Sequence, residues 1–219
     1  MSELRIENVS YRYKNAPRLA LDNVCCTFRP GTVSAVVGPS GSGKTTLLSI
    51  MAGLDRPESG KVLLGDRDLA GMDLDAYRRR DVSVIFQAFQ LFPLLTVLEN
   101  VCYPMELSGV PTRAARERAR ALLESVGIEE EKFRRFPANL SGGEQQRVAI
   151  ARSLATGAGV LLADEPTGNL DGENSRNVVD LLSRLAHEEG YCVIIVTHDL
   201  AIARASDTVF NMEDGVLSQ

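Results

Sequence analysis

No stretch of this chain approaches the ~20 uninterrupted apolar residues that crossing a bilayer takes, and the N-terminal MSELRIENVSYRYKN carries charges where an export signal needs an apolar run. The expectation is a chain neither exported nor membrane-spanning. A basic excess is missing too: 24 Lys and Arg stand against 29 Asp and Glu, a formal charge of -5. That argues against nucleic acid as an obligatory partner, because neutralising phosphates needs a basic surface. The four cysteines, Cys25, Cys26, Cys102 and Cys192, lack metal-ligand spacing, and adjacent cysteines rarely bridge without strain. All four read as small buried apolar residues in a reducing cytoplasm. Internal repeats, low-complexity tracts and Pro/Gly-rich linkers are also absent, so one compact unit is expected. The basic runs RRR (78–80) and RAARERAR (113–120) read as solvated faces.

What is present is an ordinary apolar content, 44% over 219 residues, enough for a sizeable core. Four short runs, TVSAVV (32–37), VSVIF (82–86), GVLLAD (159–164) and YCVIIV (191–196), have the length and β-branching of strands buried on both faces. Helical patterns lie between several of them; after Asp171 the residues Val178, Val179, Leu182 and Leu185 share one helix face, and Gly190 closes the segment. Strands alternating with helices predict a parallel sheet with crossover helices. LRIENVSY and KVLLGD near the start, and DTVF, Asp214-Gly215 and VLS at the end, read as shorter antiparallel strands flanking that sheet. From Pro104 to Leu154 no strand is legible, and Ala115, Ala119, Leu122, Leu123 and Val126 form an apolar helix face ended by Gly127. This predicts a helical subdomain, about residues 88–154, inserted in the α/β core.

Gly38-Pro39-Ser40-Gly41-Ser42-Gly43-Lys44-Thr45 matches G-x-x-x-x-G-K-[ST], between an apolar strand and a helical pattern. Glycines let successive N–H groups turn inward onto phosphate oxygens, and the helix start adds unpaired donors and partial positive charge. Lys44 is expected on the β- and γ-phosphates of a bound triphosphate, the Thr45 hydroxyl on Mg²⁺ and Thr46 on the α-phosphate. A chance match in such a chain has odds on the order of 1%. VLLADEP supplies an acidic partner: Asp164 at a strand end for the metal, and Glu165 pointing elsewhere by strand alternation, suited to an attacking water. IIVTHD ends another strand in His198, a candidate γ-phosphate contact, and VSVIF ends in Gln87, a candidate metal or water ligand. His187 falls in the last turn of a helix, where the dipole alone accounts for it.

LSGGEQQR (140–147) is a second Ser-Gly-Gly turn at a helix start. Ser141 and Glu144 make a capping box. A cap does not need two glycines, whereas Gly142 and Gly143 would admit a phosphate to the first N–H groups, so the turn reads as a second anion site.

In this order GPSGSGKTT, Gln87, LSGGEQQR, VLLADEP, NLD and His198 resemble the nucleotide-binding domain of ATP-binding cassette (ABC) transporters, over essentially the whole chain. The resemblance implies an α/β P-loop NTPase core of RecA type with an antiparallel β subdomain and an inserted helical subdomain, and ATP hydrolysis with Mg²⁺. It also implies a head-to-tail dimer of two copies enclosing two ATP, in which the Ser141–Glu144 turn of one copy caps the γ-phosphate held by the other and Asp171 of NLD lies at the interface. Tyr13, with Tyr11 as rival, resembles the aromatic that stacks on adenine. The segment AFQLFPLLTVLENV after Gln87 would receive an integral membrane permease, placing the chain in the cytoplasm on the inner membrane face. DEPTGNLD with FQAFQLFPLLTVLENV resembles most the lipoprotein-releasing, macrolide- or peptide-exporting and cell-division branch, and the end at Gln219, without a regulatory extension, agrees with it. A division-type regulator remains the alternative; a mechanical cassette on DNA or ribosomes and a small-molecule kinase fit less well, the latter having no use for LSGGEQQR.

Overall fold

The structure, a computed structural model, describes residues 2–219. In chain order it contains β1 (Leu4–Tyr11), β2 (Leu21–Phe28), β3 (Thr32–Val37), α1 (Lys44–Met51), β4 (Ser59–Leu64), β5 (Arg67–Asp68), α2 (Leu74–Arg80), β6 (Val82–Ile85) and α3 (Val97–Leu107). There follow α4 (Thr112–Ser125), α5 (Gly142–Leu154), β7 (Val160–Asp164), α6 (Gly172–His187), β8 (Cys192–Thr197), α7 (Leu200–Ala205), β9 (Thr208–Glu213) and β10 (Val216–Ser218).

Two sheets form, an antiparallel one in the order β2-β1-β4-β5 and a larger one in the order β10-β9-β3-β8-β7-β6. In the larger sheet β9, β3, β8, β7 and β6 are mutually parallel, which their continuous apolar runs require, because both faces are covered. Alternate residues of β7 divide between two cores: Leu161 and Ala163 face α4, α5 and α6, whereas Val160 and Leu162 face α1 and the antiparallel sheet. Each fully buried Leu or Val contributes about 1.5–3 kcal/mol. The helical segment has no core of its own, since Ala119 of α4 and Val148 and Ile150 of α5 pack in the same cluster as Leu161 and Val193.

Several expectations need amendment. LDNVCCTF is a strand the pattern did not reveal, because left-handed Asn8 and Asn23 and the register shifts between β1 and β2 break the period of two; its buried residues are Leu21, Val24 and Phe28. DTVF is no antiparallel flank: β9 continues the parallel sheet beside β3, and only β10 runs back against it. Cys25 is exposed, its Sγ 3.0 Å from Asn8 Oδ1, while Cys102 and Cys192 are buried. His187 does more than sit on a helix dipole: its Nε2 lies 2.8 Å from Asp207 Oδ2, the oxygen that also accepts the Val33 N–H at 2.7 Å, so it ties the end of α6 to β3.

The loop from Gln87 to Thr96 is shaped by one buried amide. Asn100, with no exposed surface, accepts the Phe92 N–H at 2.8 Å and donates to the carbonyls of Phe92, Leu95 and Thr96 at 3.0–3.1 Å. Replacing Asn100 by Leu leaves the Phe92 N–H and the Leu95 carbonyl without these partners, while the Phe92 and Thr96 carbonyls keep the N–H groups of Leu95 and residue 100, a destabilisation on the order of 2 kcal/mol. Urea unfolding measures it; a loss under about 0.5 kcal/mol contradicts the assignment.

A phosphate-type cleft and a separate glycine turn

The carboxyl ends of β3, β7 and β8 meet because their registers align, Val37 opposite Thr197 and Asp164 opposite Val196. At the end of β3 the chain turns so tightly that side chains are excluded at two points. A Cβ on Gly38 would stand 2.1 Å from the Met212 carbonyl oxygen, and one on Gly43, at φ +111°, 2.4 Å from that of Ala20. The hairpin β9-β10 braces the turn through the Gly215 N–H donating to Ser42 O at 2.9 Å. Lys44 lies inside the loop it closes, Nζ donating to the carbonyls of Gly38 and Pro39 at 2.8 Å each. The start of α1 has neither a side-chain cap nor an acidic residue in its first turn, so its leading N–H groups stand ready for an anion.

This loop floors a cleft of about 750 Å³. Tyr13, Ser40, Gly41, Gly43, Lys44, Thr45, Thr46, Gln87, Asp164, Glu165 and His198, all singled out in the sequence, line it, and Gly38, Pro39 and Ser42 shape the loop from behind. The Ser42 hydroxyl is buried without a partner among the described residues. Tyr13 and Tyr11 separate: Tyr13 is about half exposed at the rim with its hydroxyl 2.9 Å from Thr46 Oγ1, whereas Tyr11 packs against the apolar core and meets Tyr13 edge-on at 5.1 Å. Arg18 also lines the cleft, on the Tyr13 side.

Glu165 is placed by a different device from strand alternation. It lies beyond the end of β7 in a left-handed conformation, φ +46°, with its N–H on Val196 O at 2.8 Å. This backbone turn aims the carboxylate at β8: Oε2 accepts the Thr197 hydroxyl at 2.9 Å, and Oε1 accepts the His198 N–H at 3.1 Å and meets His198 Nδ1 at 2.8 Å. Asp164 takes no such bonds among the described residues. Burial, and next the Glu165 charge, push its carboxyl above the usual range, with Lys44 opposing. A cation beside Asp164 would relieve both effects, and the donors around it, one carboxylate, the Thr45 hydroxyl and the Gln87 amide oxygen, are hard oxygens. Among the described residues no three His, Cys, Asp or Glu side chains converge as a metal cage. One carboxylate with a hydroxyl and an amide oxygen fits Mg²⁺, which binds through one or two carboxylates and fills its shell with water and phosphate oxygens.

Ser141, Gly142, Gly143, Glu144 and Asp171 do not line this cleft; they sit together at the N-termini of α5 and α6. The capping box is complete: the Ser141 N–H donates to Glu144 Oε2 at 2.8 Å, and the Glu144 N–H donates to Ser141 Oγ at 3.3 Å. Gly143 also has a cause within the chain: a Cβ there would stand 2.2 Å from Asn174 Oδ1. Gly142 has room, Leu170 Cδ2 at 3.4 Å being the nearest atom to a Cβ there.

Two residues escaped the sequence reading. Arg152, in the last turn of α5, donates to the carbonyls of Gln90 at 2.6 Å and Phe89 at 3.1 Å and lies over the Phe92 ring, clamping two successive left-handed residues, Phe89 and Gln90. Burial lowers its pKa. Asn169, the first residue of NLD, donates Nδ2 to Gln87 O at 3.0 Å. In sequence Arg152 reads as a cation favourably placed on a helix dipole, and nothing local tells which distant carbonyls it meets.

A phosphate loop at the edge of a parallel sheet, with acidic and histidine side chains on the neighbouring strand ends, defines a nucleoside-triphosphate-binding ATPase. Comparison with known proteins is specific: the family model described as ABC transporter matches residues 21–168. An ABC transporter ATP-binding protein of Bacillus subtilis, YclH, is 40% identical over 98% of this chain and 95% of its own length. FbpC of Brucella abortus, an Fe(3+) ions import ATP-binding protein, is 44% identical over 97% of this chain and 59% of its own. Among solved structures the dimeric bacterial ABC transporter cassette MJ0796 superposes with a TM-score of 0.88 at 38% identity, covering 99% of this chain and 97% of that one. The same cassette has a dimeric post-hydrolysis structure with ADP and Pi, at TM-score 0.88 and 37% identity. The chain belongs to the ABC transporter family; it is an ATP-binding subunit of that family and an ATPase of its type. Among the described residues no helix is long and apolar enough to cross a membrane.

Glu144 carries a test of the second turn. Its burial is outweighed by the Ser141 N–H, the Ser141 hydroxyl and Lys132 Nζ at 3.0 Å, which hold its pKa at about 2. A depressed folded pKa contributes stability that is present above the unfolded value of about 4.3 and is lost as pH falls toward 2. Melting curves of wild type and Glu144→Gln should therefore differ at pH 7 and converge toward pH 2; a constant offset across that range refutes the assignment.

Proposed function

We propose that two copies of this chain close head to tail on two ATP molecules and that closure drives a separate membrane permease. The observation that carries this is the separation of the two turns: the cleft of Lys44 contains no part of Ser141–Glu144, and Ser141 at the head of the second turn is exposed. A second copy supplies the phosphate it lacks. The dimeric cassette MJ0796 supports the reading, being a relative that assembles in pairs.

Within each closed site the residues divide the work. Lys44 and the leading N–H groups of α1 bind the β- and γ-phosphates, Thr46 the α-phosphate, and Tyr13 stacks on adenine from the rim. Thr45, Gln87 and Asp164 would hold Mg²⁺, which when bound offsets charge on the phosphates. Glu165 orients the attacking water and takes its proton on a carboxylate oxygen. Thr197 and His198 keep that carboxylate aimed. His198 leaves Nε2 free for the γ-phosphate, and Ser141 with the N–H groups of Gly142 and Gly143 caps the same phosphate on the partner copy, with Asp171 at the interface.

The permease face is the loop clamped by Arg152. Phe92 and Tyr103, their rings 4.8 Å apart, are about 40% exposed, and Leu94 and Leu107 are more exposed still. Docking there would hold the chain on the inner membrane face. The motif resemblance favours a permease that exports or extracts a peptide, lipoprotein or drug, with a division-type regulator as second reading. Relatives named for iron and for methionine import are 44% and 41% identical, and in this reading the membrane partner decides the direction. Co-purification of the chain from detergent extracts of its source membranes identifies that partner.

Two substitutions test the core of the proposal. Glu165→Gln should lower kcat by 10²–10⁴-fold and accumulate an ATP-bound dimer on size-exclusion chromatography with light scattering. Ser141→Arg should abolish that dimer in the Glu165→Gln background while ATP binding by the monomer stays within about threefold, a shift under 0.7 kcal/mol. A dimer that persists with Ser141→Arg overturns the head-to-tail arrangement.

A further inference from the structure

One side chain joins Asp171 to Gly143. Asn174, in the first turn of α6, donates its backbone N–H to Asp171 Oδ1 at 2.9 Å and its Nδ2 to both carboxylate oxygens, at 3.0 and 2.9 Å. With the nitrogen so committed, the amide oxygen is turned toward α5. There it fills the place of the side chain that residue 143 lacks: a Cβ on Gly143 would stand 2.2 Å from Asn174 Oδ1, 2.5 Å from its Cγ and 3.0 Å from its Cβ. The contact lies at the root of the Asn174 side chain and not only at its tip, so rotating the amide does not clear it. Any rotation also breaks the two Nδ2 bonds to Asp171.

We propose that Asn174 is a positioning residue of the two-copy site. It locks the NLD turn to the Ser-Gly-Gly turn of the same chain, so that the two surfaces one copy offers its twin move together, and it is the reason residue 143 must be glycine. The inference rests on the head-to-tail reading given above. It differs from the explanation that Gly143 is glycine only to admit a phosphate, because that explanation is indifferent to residue 174. Phosphate access makes Gly143→Ala harmful whatever stands at 174; the lock makes it harmful chiefly while the Asn174 amide is present.

The full-length chain is compared as wild type, Gly143→Ala, Asn174→Ala and the double variant, by ATPase kinetics and by thermal melting without nucleotide. Gly143→Ala should lower kcat by about 100-fold, the scale of a 1 Å misplacement, and the melting temperature by about 3 °C. Asn174→Ala should lower kcat by roughly tenfold with KM within threefold, because its own nucleotide cleft is untouched. The double variant should recover most of the Gly143→Ala loss in both measurements, since Asn174→Ala removes the amide and leaves only the Cβ contact at 3.0 Å. A double variant as slow as Gly143→Ala, or an Asn174→Ala enzyme with wild-type kcat, overturns the positioning role. Additive losses in melting temperature overturn the contact itself. The melting comparison needs no dimer, so it stands even if Glu165→Gln fails to dimerise with ATP, the outcome that sinks the head-to-tail reading instead.

Discussion

Register between β3, β7 and β8 is the constraint on which the rest of this molecule depends. The three strands carry their chemistry past their carboxyl ends, and parallel pairing in one register brings those ends to a common edge. A slip of one residue would exchange the two faces of a strand, sending Leu161 and Ala163 toward α1 and displacing Asp164 and Glu165 from the phosphate loop. The slip is opposed by burial on both faces at once, since each of these strands contributes residues to two separate cores. Packing far from the cleft therefore sets the geometry within it.

Beyond the strand ends the cleft is built from backbone conformations that few residues adopt willingly. Gly43 takes a positive φ where the Ala20 carbonyl leaves no room for a side chain, and Glu165 takes one despite its Cβ. A non-glycine residue in that region costs of order 1–3 kcal/mol. At Glu165 the cost is offset by bonds from Thr197 and His198 to a carboxylate that would otherwise lie near Asp164 without a partner. The same logic recurs at Phe89 and Gln90, where two left-handed residues persist because Arg152 holds both carbonyls. In the proposed mechanism these are the points where nucleotide and permease act on the chain, and each is strained locally and anchored from another element.

Legibility followed the range of the interaction. Strands β3, β6, β7 and β8 could be read because burial on both faces leaves unbroken apolar runs, and the phosphate loop because its glycines, lysine and threonine are contiguous. LDNVCCTF was invisible because a bulge breaks its alternation. The pairing of His187 with Asp207, the clamp of Arg152 and the seat of Asn174 against Gly143 were invisible for a different reason: each joins residues on separate elements, and neither partner is unusual in its own neighbourhood.

By itself the sequence determined strands β3, β6, β7 and β8, the glycine-rich loop of GPSGSGKT, the strand-end acids of VLLADEP, and membership of the ABC family, because contiguous residues suffice to shape a strand, a phosphate loop or a helix cap. Only the tertiary structure decided that Tyr13 and not Tyr11 reaches the cleft, that Glu165 turns toward His198, and that the Ser141 turn stands apart from Lys44 in the same chain. Those outcomes depend on which distant backbone and side-chain groups come within a few ångströms, and packing of whole sheets and helices sets that distance.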